Sequence, residues 1–358
     1  MNFLIYSFTG LGNSILFNPC INYLKSKYPE CKITIASYDV DGDLSFQKLN
    51  KLVDNTLNFR QLNIFNKLKF VNDLFFNKYD YVIYFSLSYP GRLLSFFTYS
   101  FARCPILRSK NQVDNILNRS SIFEGIIGRI YYNLSMSIRY ITNQKKNIFY
   151  AGNLNINSHE IDHNLDIIRC LMSNPQLEKN NYAKNKLKID FDKSILKKYN
   201  LTEKKYLCLQ VAGGHGQLTP KIPTTSKIKL IISKLLSLDY KIILLGTNNE
   251  KNILEELQSN KNILSLIGET SPLECASLLK YAFFTICNDS GLLHLADALR
   301  VNVIALFGPT NINKNRPLND TSFIIKNTPS CGGCIKGWNI KGHKYVDEQT
   351  ANDCQYCL

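Results

Sequence analysis

Short apolar runs and amphipathic stretches alternate along the chain in two blocks, separated by a polar interval from about residue 143 to 200 that is rich in Asn and Lys. The first block predicts a strand at Asn2 to Tyr6, a turn through Gly10 and Gly12, and a helix from about Ser14 to Lys27. A strand at Lys32 to Ser37 follows, then a loop carrying Asp39, Asp41 and Asp43, then a helix and a strand at Tyr79 to Phe85. The second block predicts strands at Tyr206 to Val211, Lys241 to Gly246, Ile263 to Leu266, Phe283 to Asn288 and Val303 to Phe307. Between them fall helices at Lys227 to Leu238, Asn249 to Ser259, Leu273 to Tyr281 and Gly291 to Leu299. The strands are continuous apolar, β-branched runs rather than alternating ones, which is the pattern of a parallel sheet covered on both faces. The blocks therefore divide into an α/β domain over residues 1–180, a second over 181–330, and a loop-rich, Cys-bearing tail over 331–358. The polar interval reads as a few helices and a linker.

A length of 358 residues suits two cores rather than one, and 45% hydrophobic with 20% charged residues is a globular composition. The formal charge of +15 bears on partners rather than on fold. Residues 101–150 hold eight Lys and Arg against Asp114 and Glu124, interleaved with apolar and aromatic residues. Two readings of this stretch stand side by side. One is a solvated helix pair with a buried apolar face; the other is a surface resting on anionic lipid or on a phosphorylated partner. No recognition motif accompanies the charge, so nucleic acid is not an expected partner. There is no run of eighteen apolar residues to span a membrane, and the N-terminus reads as a buried strand rather than a leader. A cytoplasmic location follows as the expectation, with the eleven cysteines as thiols or metal ligands.

The densest chemistry lies in FFTICNDSGLLHLADALRVNVIALFGPT, residues 283–310. A strand ends at Cys287, and Asn288, Asp289, Ser290 and Gly291 turn directly into a helix. Residues at the C-terminal end of a parallel strand face the ligand crevice of an open α/β sheet. The free N–H groups and the dipole of the following helix suit a phosphate or pyrophosphate. The alternative is that Asp289 or Ser290 merely caps the helix.

The whole string resembles the C-terminal signature of glycosyltransferase family 9, the family of the bacterial lipopolysaccharide heptosyltransferases. Asn288, Asp289, Ser290, Gly291, His294, Ala298, Leu299 and Phe307 to Thr310 carry the resemblance. Gly10-Leu11-Gly12-Asn13, with Leu16, Pro19 and Leu24 behind it, resembles the family's opening motif. The resemblance implies a GT-B fold, two Rossmann-like parallel-sheet domains facing a central cleft, with an N-terminal acceptor domain and a C-terminal nucleotide-sugar domain. It implies inverting transfer of a sugar, heptose by analogy, from an ADP-heptose-like donor to a lipid-linked lipopolysaccharide or lipooligosaccharide core glycan. It also implies a metal-independent reaction, carried out peripherally at the inner face of the membrane. Asp289 is then expected at the donor sugar and the Ser290 and Gly291 amides at the diphosphate. His294 is either a donor contact or a packed core histidine. Lys221, in LQVAGGHGQLTPKIP, is expected at the donor phosphates and in the catalytic set, or else is a solvated lysine. Gly246 and Glu250 resemble the turn at the nucleoside, although Glu250 also fits a first-turn helix residue. Gly10 and Gly12 are expected on the acceptor side.

One position departs from the family. An aspartate, taken as the base for the acceptor hydroxyl, is usual where this chain has Asn13, and an amide cannot take a proton at neutral pH. Either the base is one of Asp39, Asp41 and Asp43, with Asp41 the expected one, or Asn13 only orients the acceptor, or transferase activity is lost. The spacing of Asp39 and Asp41 also resembles the metal-binding D-x-D of another transferase fold, a reading set aside because GT-B enzymes generally work without metal. Cys331, Cys334, Cys354 and Cys357 form two C-x2-C pairs nineteen residues apart, spacing that suits a structural zinc or a set of thiols. Alternatives of another kind are a nucleotide-sugar 2-epimerase of the same fold and an inactive glycan- or nucleotide-binding relative.

Overall fold

The computed structural model of the chain describes residues 1–7, 10–39, 42–76, 78–85, 98, 102, 106–109, 122–141, 148–151, 158–169, 187–210, 223, 225–248, 260–308 and 310–326. The chain forms two compact units, Met1–Lys188 and Ile189–Leu358. The division thus falls eight residues beyond the expected 180, because Leu187 is still buried and Lys188 accepts a hydrogen bond from the Lys51 amide.

In the first unit the strands are β1 (Asn2–Tyr6), β2 (Lys32–Ser37), β3 (Asn55–Asn58), β4 (Tyr81–Tyr84), β5 (Ile106–Ser109) and β6 (Ile148–Ala151). They form one sheet in the order β3-β2-β1-β4-β5-β6, every pair parallel. Among the described residues its helices are α1 (Leu11–Leu16), α2 (Asn18–Lys27), α3 (Asp43–Leu49), α4 (Ile64–Phe75), α5 (Ile122–Ile141) and α6 (Glu160–Arg169). The single helix expected over Ser14 to Lys27 is two, because Pro19 has no N–H to donate back to the preceding turn and starts α2 instead.

The second unit repeats the plan. Its strands are β7 (Tyr206–Gln210), β8 (Lys241–Leu244), β9 (Ile263–Ser265), β10 (Thr285–Asn288), β11 (Val303–Phe307) and β12 (Phe323–Lys326), in the parallel order β12-β11-β10-β7-β8-β9. The described helices are α7 (Ser194–Lys198), α8 (Thr225–Leu236), α9 (Pro272–Tyr281), α10 (Gly291–Ala298) and α11 (Ile312–Asn315). Central strands β7 and β10 are wholly buried, as a sheet covered on both faces requires.

Each sheet grows outward from one strand, returns, and grows the other way. The order reverses between β1 and β4 in the first unit and between β7 and β10 in the second. In such doubly wound sheets the crevice at the reversal, at the carboxyl ends of the strands, is where ligands bind. That is the Rossmann strand order, twice.

Candidate functional site

In the second unit the reversal lies between Gln210, which ends β7, and Asn288, which ends β10. Ser290 stands at the N-cap of α10 in extended conformation, φ −150° and ψ 172°, yet its hydroxyl does not cap the helix. The hydroxyl instead donates to Gln210 Oε1 at 2.6 Å, a buried bond that ties the two strand ends across the reversal. With no side-chain cap on α10, its first-turn N–H groups keep the positive end of the helix open to an anion. The capping alternative for Ser290 therefore does not describe this helix.

Asp289 is buried, and its two oxygens have separate neighbours. Oδ2 accepts a hydrogen bond from Asn315 Nδ2 at 3.2 Å, and Oδ1 lies 3.8 Å from His294 Nε2. His294, one turn into α10, is equally buried and packs beside the carboxylate. Asn315 reaches Asp289 because its segment is pinned. Asp297, on the same helix, accepts from the backbone amides of Leu318 at 3.0 Å and Asn319 at 2.8 Å. Burial raises the Asp297 carboxyl, and those two amide bonds oppose the rise. At the end of β11, Thr310 carries a buried hydroxyl with no hydrogen-bond partner among the described residues.

Gly246 follows β8, and its carbonyl accepts the Gly268 amide at 2.9 Å. Gly268 has φ +72°, and a Cβ there would collide with Asn248 Oδ1, so glycine is required where these two loops meet. Gly246, Asp289, Ser290 and Gly291 thus all stand at the carboxyl edge of one sheet. Lys221 and Glu250 lie outside the described residues.

The first unit carries the other half of the expected set. Gly10 is the N-cap of α1, Gly12 is partly buried, and Asn13 is exposed. The turn rests on a buried polar base. Gln47 Nε2 donates to the Ser14 carbonyl at 3.0 Å and lies 3.1 Å from Ser14 Oγ, and Asn50 Nδ2 donates to Asn18 Oδ1 at 3.4 Å.

The acidic stretch is not the open loop that its composition suggested. Gly42, at φ +72°, turns the chain into α3, and Asp43 is that helix's first residue. Asp39 Oδ1 accepts from the Leu44 and Ser45 amides and Oδ2 from the Ser45 hydroxyl, so its carboxylate caps α3. Asp43 is 1% exposed and is held by Ser37 Oγ at 2.8 Å, from the last residue of β2, and by Ser7 Oγ at 3.2 Å, just beyond β1. Burial, with a smaller push from the Asp39 charge, raises the Asp43 carboxyl from 3.8 to about 7 against the hydrogen bonds that favour its ionised form. Asp41 lies outside the described residues, as do Cys331, Cys334, Cys354 and Cys357. Among the described residues no group of His, Cys, Asp or Glu is placed to hold a metal ion, and the five described cysteines are buried and free.

Residues 171–344 match the family described as Glycosyltransferase family 9 (heptosyltransferase). The C-terminal half of the chain is of the glycosyltransferase family 9 type. Over 98 residues the chain is 31% identical to lipooligosaccharide heptosyltransferase 2 of Haemophilus influenzae, a match covering 26% of this chain and 28% of that one. The aligned segment thus spans under a third of the relative. The fold extends much further than the sequence identity. The ADP-heptose lipopolysaccharide heptosyltransferase II of E. coli superposes with a TM-score of 0.65 at 15% identity, over 93% of this chain and 92% of that one. TibC, an iron-containing dodecameric glycosyltransferase of E. coli, superposes with a TM-score of 0.51 at 13% identity, over 98% and 73%. The two units are therefore the two parallel-sheet domains of the GT-B fold that family 9 uses. Gln210 and Asn315 are the site residues that sequence reasoning missed.

Proposed function

We propose that the protein is an inverting glycosyltransferase that moves a heptose from ADP-heptose to a lipopolysaccharide or lipooligosaccharide core-type acceptor, working in the cytoplasm at the inner face of the membrane. The observation that carries this reading is the uncapped start of α10 beside a buried carboxylate that accepts a hydrogen bond from Asn315 and lies near His294. An open helix end takes up the diphosphate as it departs, and fixed dipoles aimed at developing charge are the largest lever on such a step. Lys221 adds a cation to the same phosphates, and Asp289 holds the sugar. Gly246 and Glu250 border the nucleoside, and Gly10 and Gly12 border the acceptor.

Proton removal from the acceptor needs a group other than Asn13, whose amide only orients the hydroxyl. Asp39 spends both carboxylate oxygens on α3, and Asp43 is sealed from solvent. Asp41 is the base that remains. The spacing of the four tail cysteines suits structural zinc, or iron of the kind TibC is described as containing, apart from the chemistry of transfer.

The test is ADP release from ADP-heptose in the presence of a heptose-free core acceptor, with wild type and Asp289→Ala. Wild type is expected to turn over, and the variant to lose on the order of 100-fold in kcat or more, the scale of removing one fixed polar contact from a transition state. If wild type binds ADP but releases none from ADP-heptose with any core acceptor, the exposed Asn13 marks a binding protein and the transferase reading falls.

A further inference from the structure

Helix α4 is apolar on two faces. At roughly 100° per residue, Phe70 and Leu74 lie on one side, and both are buried against the first unit's sheet. Ile64, Phe65 and Leu68 lie roughly 150° away on the opposite side. Phe65 is 76% exposed, and all six residues from Ile64 to Lys69 are exposed. Helix α5 also exposes an apolar stripe, here opposite a polar buried side. Ser135 and Arg139 face inward, while Ile130, Leu134 and Ile141, spaced i, i+4 and i+11, form an outward stripe in which Ile141 is 81% exposed.

The two stripes belong to one face. Arg139 Nη1 donates to the Ala102 carbonyl at 2.9 Å, and Ala102 packs in the same cluster as Phe70 and Leu74. Both helices therefore lie on the same side of the sheet and turn their exposed apolar stripes away from it. Scattered exposed apolar residues need no explanation, but apolar stripes on two helices of one side, each opposite a buried face, do.

The charges beside the stripes select the partner. Lys67 and Lys69 flank the Ile64–Leu68 face on either side, and both are exposed. Asp73, the one acid in α4, is already paired with Lys78 at 2.7 Å. An apolar helix face rimmed by lysines, on a chain of formal charge +15, is complementary to an anionic lipid surface, where the side chains enter the acyl boundary and the ammonium groups stay among the headgroups. Among the described residues no helix is long and apolar enough to cross a membrane, so the contact lies in the interface plane.

We propose that the outward faces of α4 and α5 dock the protein on an anionic bilayer. The inference deepens the reading of a lipid-linked acceptor by assigning the surface that meets the lipid, and its test needs neither donor nor acceptor. Full-length protein is sedimented with vesicles of phosphatidylcholine alone and with vesicles containing phosphatidylglycerol. Wild type is expected to bind the anionic vesicles and to be released by salt, and Phe65→Ser/Leu68→Ser is expected to lower the partition coefficient at least tenfold. Leu230→Ser, at an exposed leucine of α8 in the other unit, is expected to bind as wild type does. Unchanged binding in the double variant overturns the proposal, and so does absence of wild-type binding. A wild-type dimer that the same double variant converts to monomer also overturns it, since a second copy would then cover the face. ADP release with a lipid-free acceptor, measured in parallel, reports on the transfer reading separately.

Discussion

Asp43 offers a direct check on the way the first unit is built. Replacing it with Asn keeps the shape and leaves an amide able to bond Ser7 and Ser37, while removing the titration. The wild-type carboxyl has its pKa raised from 3.8 to about 7, chiefly by burial. A shift of about 3 units corresponds to about 4 kcal/mol between the two protonation states. The sign follows from which state holds the proton. Between the two values the folded protein keeps it and the unfolded chain releases it, so rising pH favours unfolding. The stability tied to this group is fully present below about pH 4, falls as pH rises, and levels off above about pH 7. From pH 5 to pH 8 the loss amounts to about 2 to 3 kcal/mol, which in urea displaces the midpoint by about 1 M. Urea unfolding of wild type and Asp43→Asn at both pH values isolates the term, since every other titrating group is common to both proteins. The wild-type midpoint is expected to fall with pH by about that much more than the variant's. Equal displacement in the two proteins would refute the buried, proton-holding carboxyl.

Ser290→Ala removes the bond across the second reversal and is expected to cost about 1 to 2 kcal/mol in chemical unfolding, and to weaken ADP binding in calorimetry. A variant that binds ADP as tightly as wild type would separate the Ser290–Gln210 bond from the donor site. Metal analysis of the purified chain is expected to return about one zinc or iron, lost in Cys331→Ser/Cys354→Ser; metal-free wild type would leave the tail cysteines as thiols.

What the sequence revealed depended on how local each signal is. Strands β1, β2 and β11 lie where their apolar runs begin and end, because a strand buried on both faces writes its limits into consecutive residues. The edge strands β3, with sequence NTLN, and β12, largely exposed, carry no such run and are held only by their parallel neighbours. Helix α3 was hidden because three aspartates and a glycine look like a turn, and only the backbone bonds to Asp39 show that the turn is a helix cap. The same division runs through the site. Asp289, Ser290 and Gly291 are adjacent and were readable as a motif. Gln210 comes from 80 residues away and Asn315 from 26, and no periodicity joins them to it.

The two sheets share a strand order but load their carboxyl ends differently, and that difference bears on Asn13. In the second unit the polar groups converge on an open helix end that favours an anion. In the first, the polar groups turn inward, with Gln47, Asn50 and Asn18 bracing the turn from beneath while Ser7 and Ser37 close over Asp43. Asn13 therefore stands on a rigid support but brings no charge to it. An amide there can hold an acceptor hydroxyl in line for attack, and orientation of that kind removes a large part of a bimolecular barrier without any proton moving in the ground state. Where the nucleophile is positioned but weakly activated, more of the work falls on the departing group. In the proposed reaction that group is the diphosphate, and its proposed site at α10 is where this chain's sequence keeps closest to the family.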